Sequence, residues 1–87
     1  MNQSILFSDQ LTWNEETGMV EFHAQQAGML IICLVSLDKL GKLNNSSEVS
    51  KENAFEQFEA VRFDIEEIAE SLVEDEAFDE QGRIIIN

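Results

Sequence analysis

The stretch from Ser50 to Ala77 constrains the fold most, with KENAFEQFEAVRFDIEEIAESLVEDE between its two ends. Its residues are placed at 100° steps on a helical wheel with Ile65 at zero. Ala54, Phe58, Val61, Ala69 and Leu72 then fall within about 40° of Ile65. Phe55, Ile68 and Val73 flank that stripe. Glu52, Glu56, Glu59, Glu67, Glu70 and Glu74 fall on the far side. Apolar residues on one side and acids on the other predict one amphipathic helix that covers one face of a sheet. Ser47 or Ser50 is placed to cap its start. Glu74-Asp75-Glu76 opposes the helix dipole at the other end, so fraying is expected near residue 76.

The length of this helix raises a second point. About 26 residues span about 39 Å. A compact domain of this size has a radius of gyration near 12 Å and is roughly 31 Å across. The helix is therefore expected to bend, to split near Ala60 to Phe63, or to overhang onto a neighbour. A two-fold homodimer is the expected assembly.

Eighty-seven residues make one domain. Before the helix, Leu11-Thr12-Trp13 alternates apolar and polar, and Asn14-Glu15-Glu16-Thr17-Gly18 has turn chemistry. Met19 to Gln25 then alternates strictly, with Val20, Phe22 and Ala24 on one face and Glu21, His23 and Gln25 on the other. This is a half-buried antiparallel strand. Gln26-Ala27-Gly28 turns the chain into Met29 to Val35, which is apolar at every position. That run predicts a central strand buried on both faces. The long helix can cover only one of those faces. The other needs the N-terminal segment, the short helix or a second subunit.

Ser36 is placed to cap one short helical turn, Leu37-Asp38-Lys39-Leu40, which Gly41 is expected to stop. Ile5-Leu6-Phe7 is an apolar patch followed by the turn residues Ser8-Asp9-Gln10. Phe78 is placed to tuck back towards the core. After the turn Asp79-Glu80-Gln81-Gly82, Arg83 to Ile86 reads as a last short strand. The expected fold is a two-layer α+β domain. Its small antiparallel sheet has three N-terminal strands plus a short C-terminal one. One long helix covers it, preceded by a short helix.

Eighteen acidic residues stand against five basic ones, for a net charge of -13. Such a chain lacks the lysines and arginines that release counterions from nucleic acid. It is also repelled by anionic membranes, and a basic protein surface is its electrostatic complement. The lone Cys33 excludes an internal disulfide and fits a reducing cytoplasm. MNQSILFSDQ lacks the features of a signal peptide, and no apolar run approaches membrane-spanning length.

The order of residues also carries a resemblance. From Phe58 to Ile86 the chain has Arg62, Asp64-Ile65-Glu66 and Ile68-Ala69-Glu70. It continues with Glu76-Ala77-Phe78-Asp79-Glu80-Gln81-Gly82 and an apolar end. Together with the opening MNQSILF, Trp13 and an apolar strand, this order resembles the bacterial domain-of-unknown-function family numbered 1488. The resemblance extends over nearly the whole chain. It implies a small bacterial cytoplasmic protein and brings no cofactor or catalytic residue with it.

Candidate sites are few. Glu66 and Glu70 share a helix face at i, i+4 and, with His23, are the residues on which a metal-binding protein or an enzyme would have to rely. One histidine and one cysteine fall short of a structural zinc set. Asp75 to Gly82 lacks the ligand spacing of a calcium loop. Cys33, inside an apolar strand, reads as core. No cofactor is expected. Phe63 is the outlier, about 160° from the core stripe. It sits among Glu59, Glu66, Glu67 and Glu70. It is either covered by another part of the chain, such as Ile5-Leu6-Phe7, or presented to a partner. An acid-ringed aromatic has the composition of an interface anchor facing a basic surface. The expected activity is that of a non-enzymatic protein-binding or regulatory module. An acidic mimic of nucleic acid that occupies a basic protein is the alternative reading.

Overall fold

The computed structural model describes residues 5–87, so the first four residues of the opening MNQSILF lie outside the described region. The strands are β1 (Ile5–Phe7), β2 (Thr12–Asn14), β3 (Met19–Gln26), β4 (Met29–Val35) and β5 (Ile84–Ile86). The helices are α1 (Leu37–Asn44), α2 (Ala54–Ala60) and α3 (Arg62–Glu74). All three helices contribute to a core on one face of the sheet, so the domain has the expected two-layer α+β architecture.

The sheet order is β1-β3-β4-β5, with β2 also on β3. β2 pairs with Met19–Glu21 and β1 with Ala24–Gln26, so the two are halves of a single edge. The Ser8 amide still donates to the His23 carbonyl at 3.0 Å before the chain leaves the ladder. The apolar patch Ile5-Leu6-Phe7 is thus a strand, which adds a fourth N-terminal strand to the three expected. β5 pairs with Cys33–Val35 in parallel, so the sheet is mixed rather than wholly antiparallel. The Ser36 amide donates to the Ile86 carbonyl at 3.0 Å and locks that register.

Turn chemistry accounts for both hairpins. The Asn14 side-chain oxygen accepts from the Thr17 amide at 2.9 Å, and Gly18 closes the turn at φ +69°. The β3–β4 turn places both Ala27 (φ 51°) and Gly28 (φ 81°) in the left-handed region, as a two-residue hairpin of the primed type requires. Inward positions of the strands are fully buried, among them Val20, Phe22, Cys33, Ile84 and Ile86. The Phe22 and Phe58 rings meet edge to face at 5.1 Å and join the sheet to α2. Burial pushes the Cys33 thiol up to about 12 and makes it an inert core residue at neutral pH.

Other expectations are changed or decided. First, Gly41 does not stop α1. It lies buried within the helix, where a Cβ would meet the Ser46 carbonyl oxygen at 2.6 Å. The stop comes at Asn45 (φ 54°), whose amide donates to Gly41 and Lys42 carbonyls. Second, of the bend, split or overhang expected of the long helix, the split near Ala60 to Phe63 is the one observed. Val61, at φ -129° and ψ 26°, separates α2 from α3. The break falls between Phe58 and Ile65, both of which are fully buried. Third, β4 is buried on both faces only at its C-terminal end. At the hairpin end Met29 on the inner face is 70% and Leu30 on the outer face 63% exposed, because the helical layer stops short of that end and no core residue of a helix lies on the outer side.

The rest of the predicted stripe holds, except that Phe55 is exposed rather than flanking the core. α3 ends at Glu74. Glu76 (φ 55°) then reverses the chain, and the Ala77 amide donates to the Leu72 carbonyl. Phe78 stays partly exposed at the sheet edge, short of the core.

Candidate partner surface

Phe63 occupies the second position of α3, directly after the break at Val61. With Ile65, Ala69 and Val73 turned inward, the helical period turns Phe63 outward. It is 85% exposed, the most exposed large apolar side chain among the described residues. The Ile5-Leu6-Phe7 strand lies beside it without covering it. Ile5, Phe7, Phe63, Asp64, Glu66, Glu67 and Glu70 line one open depression of about 380 Å³. Of the expected surface residues, Phe63, Glu66, Glu67 and Glu70 therefore share one concavity. Glu59 belongs to the neighbouring ion pair instead.

Arg62 organises that neighbourhood. Its side chain bonds Glu59 at 2.6 Å and Glu66 at 3.4 Å, and its guanidinium lies 5.1 Å from the Phe58 ring centre. It also donates to the carbonyls of Asp9 at 3.1 Å and Ser8 at 3.4 Å. The start of α3 is thereby tied to the kink between β1 and β2. The Arg62 bond holds the Glu59 carboxyl below its ordinary range, and the same pair raises the pKa of Arg62. In the sequence Arg62 stands out only as part of the family resemblance. A lone arginine within an acidic helix was the available signal of a clamp, but its partners at residues 8 and 9 lie more than fifty positions away.

Three of the other four cations are committed as well: Lys42 to Asp38, Lys51 to Glu15 and Arg83 to Asp79. Asp64, Glu67, Glu70 and Glu74 have no ion pair among the described residues, so the outer side of α3 carries uncompensated negative charge. A hydrophobic ring within such a rim can accept a partner that offers an apolar socket bordered by cations.

The carboxylate–histidine set is not assembled. His23 lies on the outer side of the sheet and holds Glu21 at 2.7 Å. Glu66 and Glu70 belong to the helical layer on the inner side. Among the described residues no three His, Cys, Asp or Glu side chains converge as a metal-binding group. None of the described helices is long and apolar enough to cross a membrane.

Sequence reasoning did not resolve the bare outer end of β4, where Met29 and Leu30 join Leu6 as exposed apolar groups. A run that is apolar at every position gives no signal of which end is covered.

Comparison with known proteins agrees with this fold. The family described as "Protein of unknown function (DUF1488)" matches residues 5–86. The chain is 34% identical over 82 residues to the uncharacterized protein YrdB of Escherichia coli (strain K12), covering 94% of each chain. It is 33% identical to the YrdB of Shigella flexneri over the same length and coverage. Its fold matches the crystal structure of a DUF1488-family protein of unknown function from Shewanella loihica PV-4. That match has a TM-score of 0.89 and 48% identity, and covers 99% of this chain and 94% of the other.

Proposed function

The chain belongs to the DUF1488 family, and from that footing we propose that it is a non-enzymatic protein-binding module, with Phe63 as the anchor that enters a basic partner. The observation that carries this reading is the 85% exposure of Phe63 beside a depression rimmed by Glu66, Glu67 and Glu70. An aromatic held in water at the start of a rigid helix costs solubility and adds nothing to the core, whereas at an interface such residues supply much of the affinity. The uncompensated acids select the partner. They steer a basic protein surface inward and repel nucleic acid and anionic lipid. The cytoplasm is the proposed compartment, in keeping with a single buried cysteine.

The test is affinity capture from the native bacterium with the intact chain, its Phe63→Ala variant and its Glu67→Lys/Glu70→Lys variant. Phe63→Ala is expected to change folding stability by less than about 0.5 kcal/mol, as for an exposed site, and to lose the captured protein. Higher salt is expected to release it. Retention of the same protein by Phe63→Ala, or global unfolding of that variant, would sink the reading.

A further inference from the structure

The helical layer covers only the inner side of the sheet, and the outer side carries a second surface of different chemistry. Directly opposed residues place Leu6, Gln25 and Leu30 in one row across β1, β3 and β4, with His23 and Ile32 in the next. Leu6 is 66% and Leu30 63% exposed. Glu21, Leu34 and Ile85 form a third row, in which Leu34 is already fully buried, so the open part of the face lies at the Leu6–Leu30 and His23–Ile32 rows. Of the 18 acidic residues in the chain, Glu21 is the one that faces outward from the strands. It is already matched by the Asn14 amide at 3.0 Å and His23 at 2.7 Å.

We infer that this outer face is where two copies of the chain pair, sheet against sheet about a two-fold axis. Charge decides the occupant. A second copy carries the same net charge of -13 and is repelled wherever carboxylates are unmatched. The outer sheet face is a surface it can approach without burying like charges together, since the one acid on its strands is already matched. A basic partner, by contrast, is drawn to the helical layer. Size sets the strength. The strand residues together, each covering about 4.8 Å by 3.4 Å, give a face of roughly 400 Å². Two such faces give roughly 800 Å², the size of a weak, transient contact rather than a permanent one. Packed sheets lie about 10 Å apart, which leaves room for Leu6, Leu30 and Ile32 to interdigitate with their counterparts. Association through so small a face is expected to be weak, with a dissociation constant on the order of micromolar or above. The pairing uses the face opposite Phe63 and does not depend on the function proposed above.

The experiment is sedimentation equilibrium of the full chain from about 1 to 200 µM, on the wild type and on Leu30→Glu, Leu6→Glu, Phe63→Ala and Glu67→Lys/Glu70→Lys. The wild type is expected to show a dimer that persists or tightens as salt is raised, because salt screens the residual repulsion. Leu30→Glu and Leu6→Glu are expected to weaken association at least tenfold while keeping the native circular dichroism spectrum, since both side chains are exposed in the monomer. The two helix-layer variants are expected to pair as the wild type does. A chain that stays monomeric throughout overturns the inference and leaves the face to a different partner. So does undiminished pairing in both leucine variants, or loss of pairing in the helix-layer variants. If Leu30→Glu does not fold, Leu6→Glu decides alone.

Discussion

Arg62 is the residue whose removal should reveal most about how this domain is held together. Arg62→Met keeps a stem of similar length against Phe58 and deletes the guanidinium. Three kinds of interaction go with it. The charged hydrogen bonds to the Asp9 and Ser8 carbonyls are worth about 1.5–3 kcal/mol for a well-formed contact. The stacking on Phe58 adds about 0.5–1 kcal/mol. The pair with the half-exposed Glu59 adds less than about 1 kcal/mol. These terms overlap, so the expected total is about 2–3 kcal/mol rather than their sum. For a domain of this length that lowers Tm by roughly 10–20 °C. Urea unfolding followed by far-ultraviolet circular dichroism measures it. Arg62→Lys should recover less than half, because an ammonium lacks the planar fork that reaches two carbonyls and two carboxylates. Lys51→Met is the control. It removes the same charge and another ion pair, but at a side chain 53% exposed, and should cost at most about 1 kcal/mol. A loss below about 0.5 kcal/mol in Arg62→Met, or a loss equal to that of Lys51→Met, would refute the clamp and leave only a change in net charge.

Other positions test separate parts of the structure. Ala27 holds a left-handed conformation that favours Asn and Gly, so Ala27→Asn should stabilise the domain by about 0.5–1 kcal/mol in the same urea assay. Gly41→Ala should destabilise it by about 1–3 kcal/mol despite the higher helix propensity of alanine, because the new Cβ meets a backbone oxygen at 2.6 Å. The Asn14 side chain, with His23 second, holds the Glu21 carboxyl below its ordinary value of 4.5. A depressed folded pKa means that this stability is present above pH 4.5 and lost as pH falls through the lower folded value. Asn14→Asp keeps the acceptor for Thr17 and sets a second carboxylate beside Glu21. Its deficit relative to wild type should shrink as pH falls below about 4.5, as a pH series of thermal melts would show.

What the sequence determined alone is what depends on near neighbours along the chain. The alternation of Val20, Phe22 and Ala24 against Glu21, His23 and Gln25 set one strand. The spacing of Ala54, Phe58, Ile65, Ala69 and Val73 set the helical layer and which of its sides meets the sheet. Turn residues at Asn14–Gly18 and Gln26–Gly28 joined β2, β3 and β4 as hairpins. These are local periodicities, legible because strand and helix repeats differ. The candidate anchor Phe63 was legible in the same way, as a ring out of phase with its own helix. Tertiary structure decided the rest. Ile84–Ile86 is apolar at every position and could have paired anywhere, and its parallel register comes from the Ser36–Ile86 bond. Neither glycine nor proline marks the break at Val61. The helix's length allowed a bend, a split near Ala60 to Phe63 or an overhang, and only the folded chain decided for the split at Val61. Gly41 continues α1 because a distant backbone oxygen occupies the space a side chain would need. Whether Phe63 and Leu30 meet water was decided last, because exposure depends on what the rest of the chain leaves uncovered.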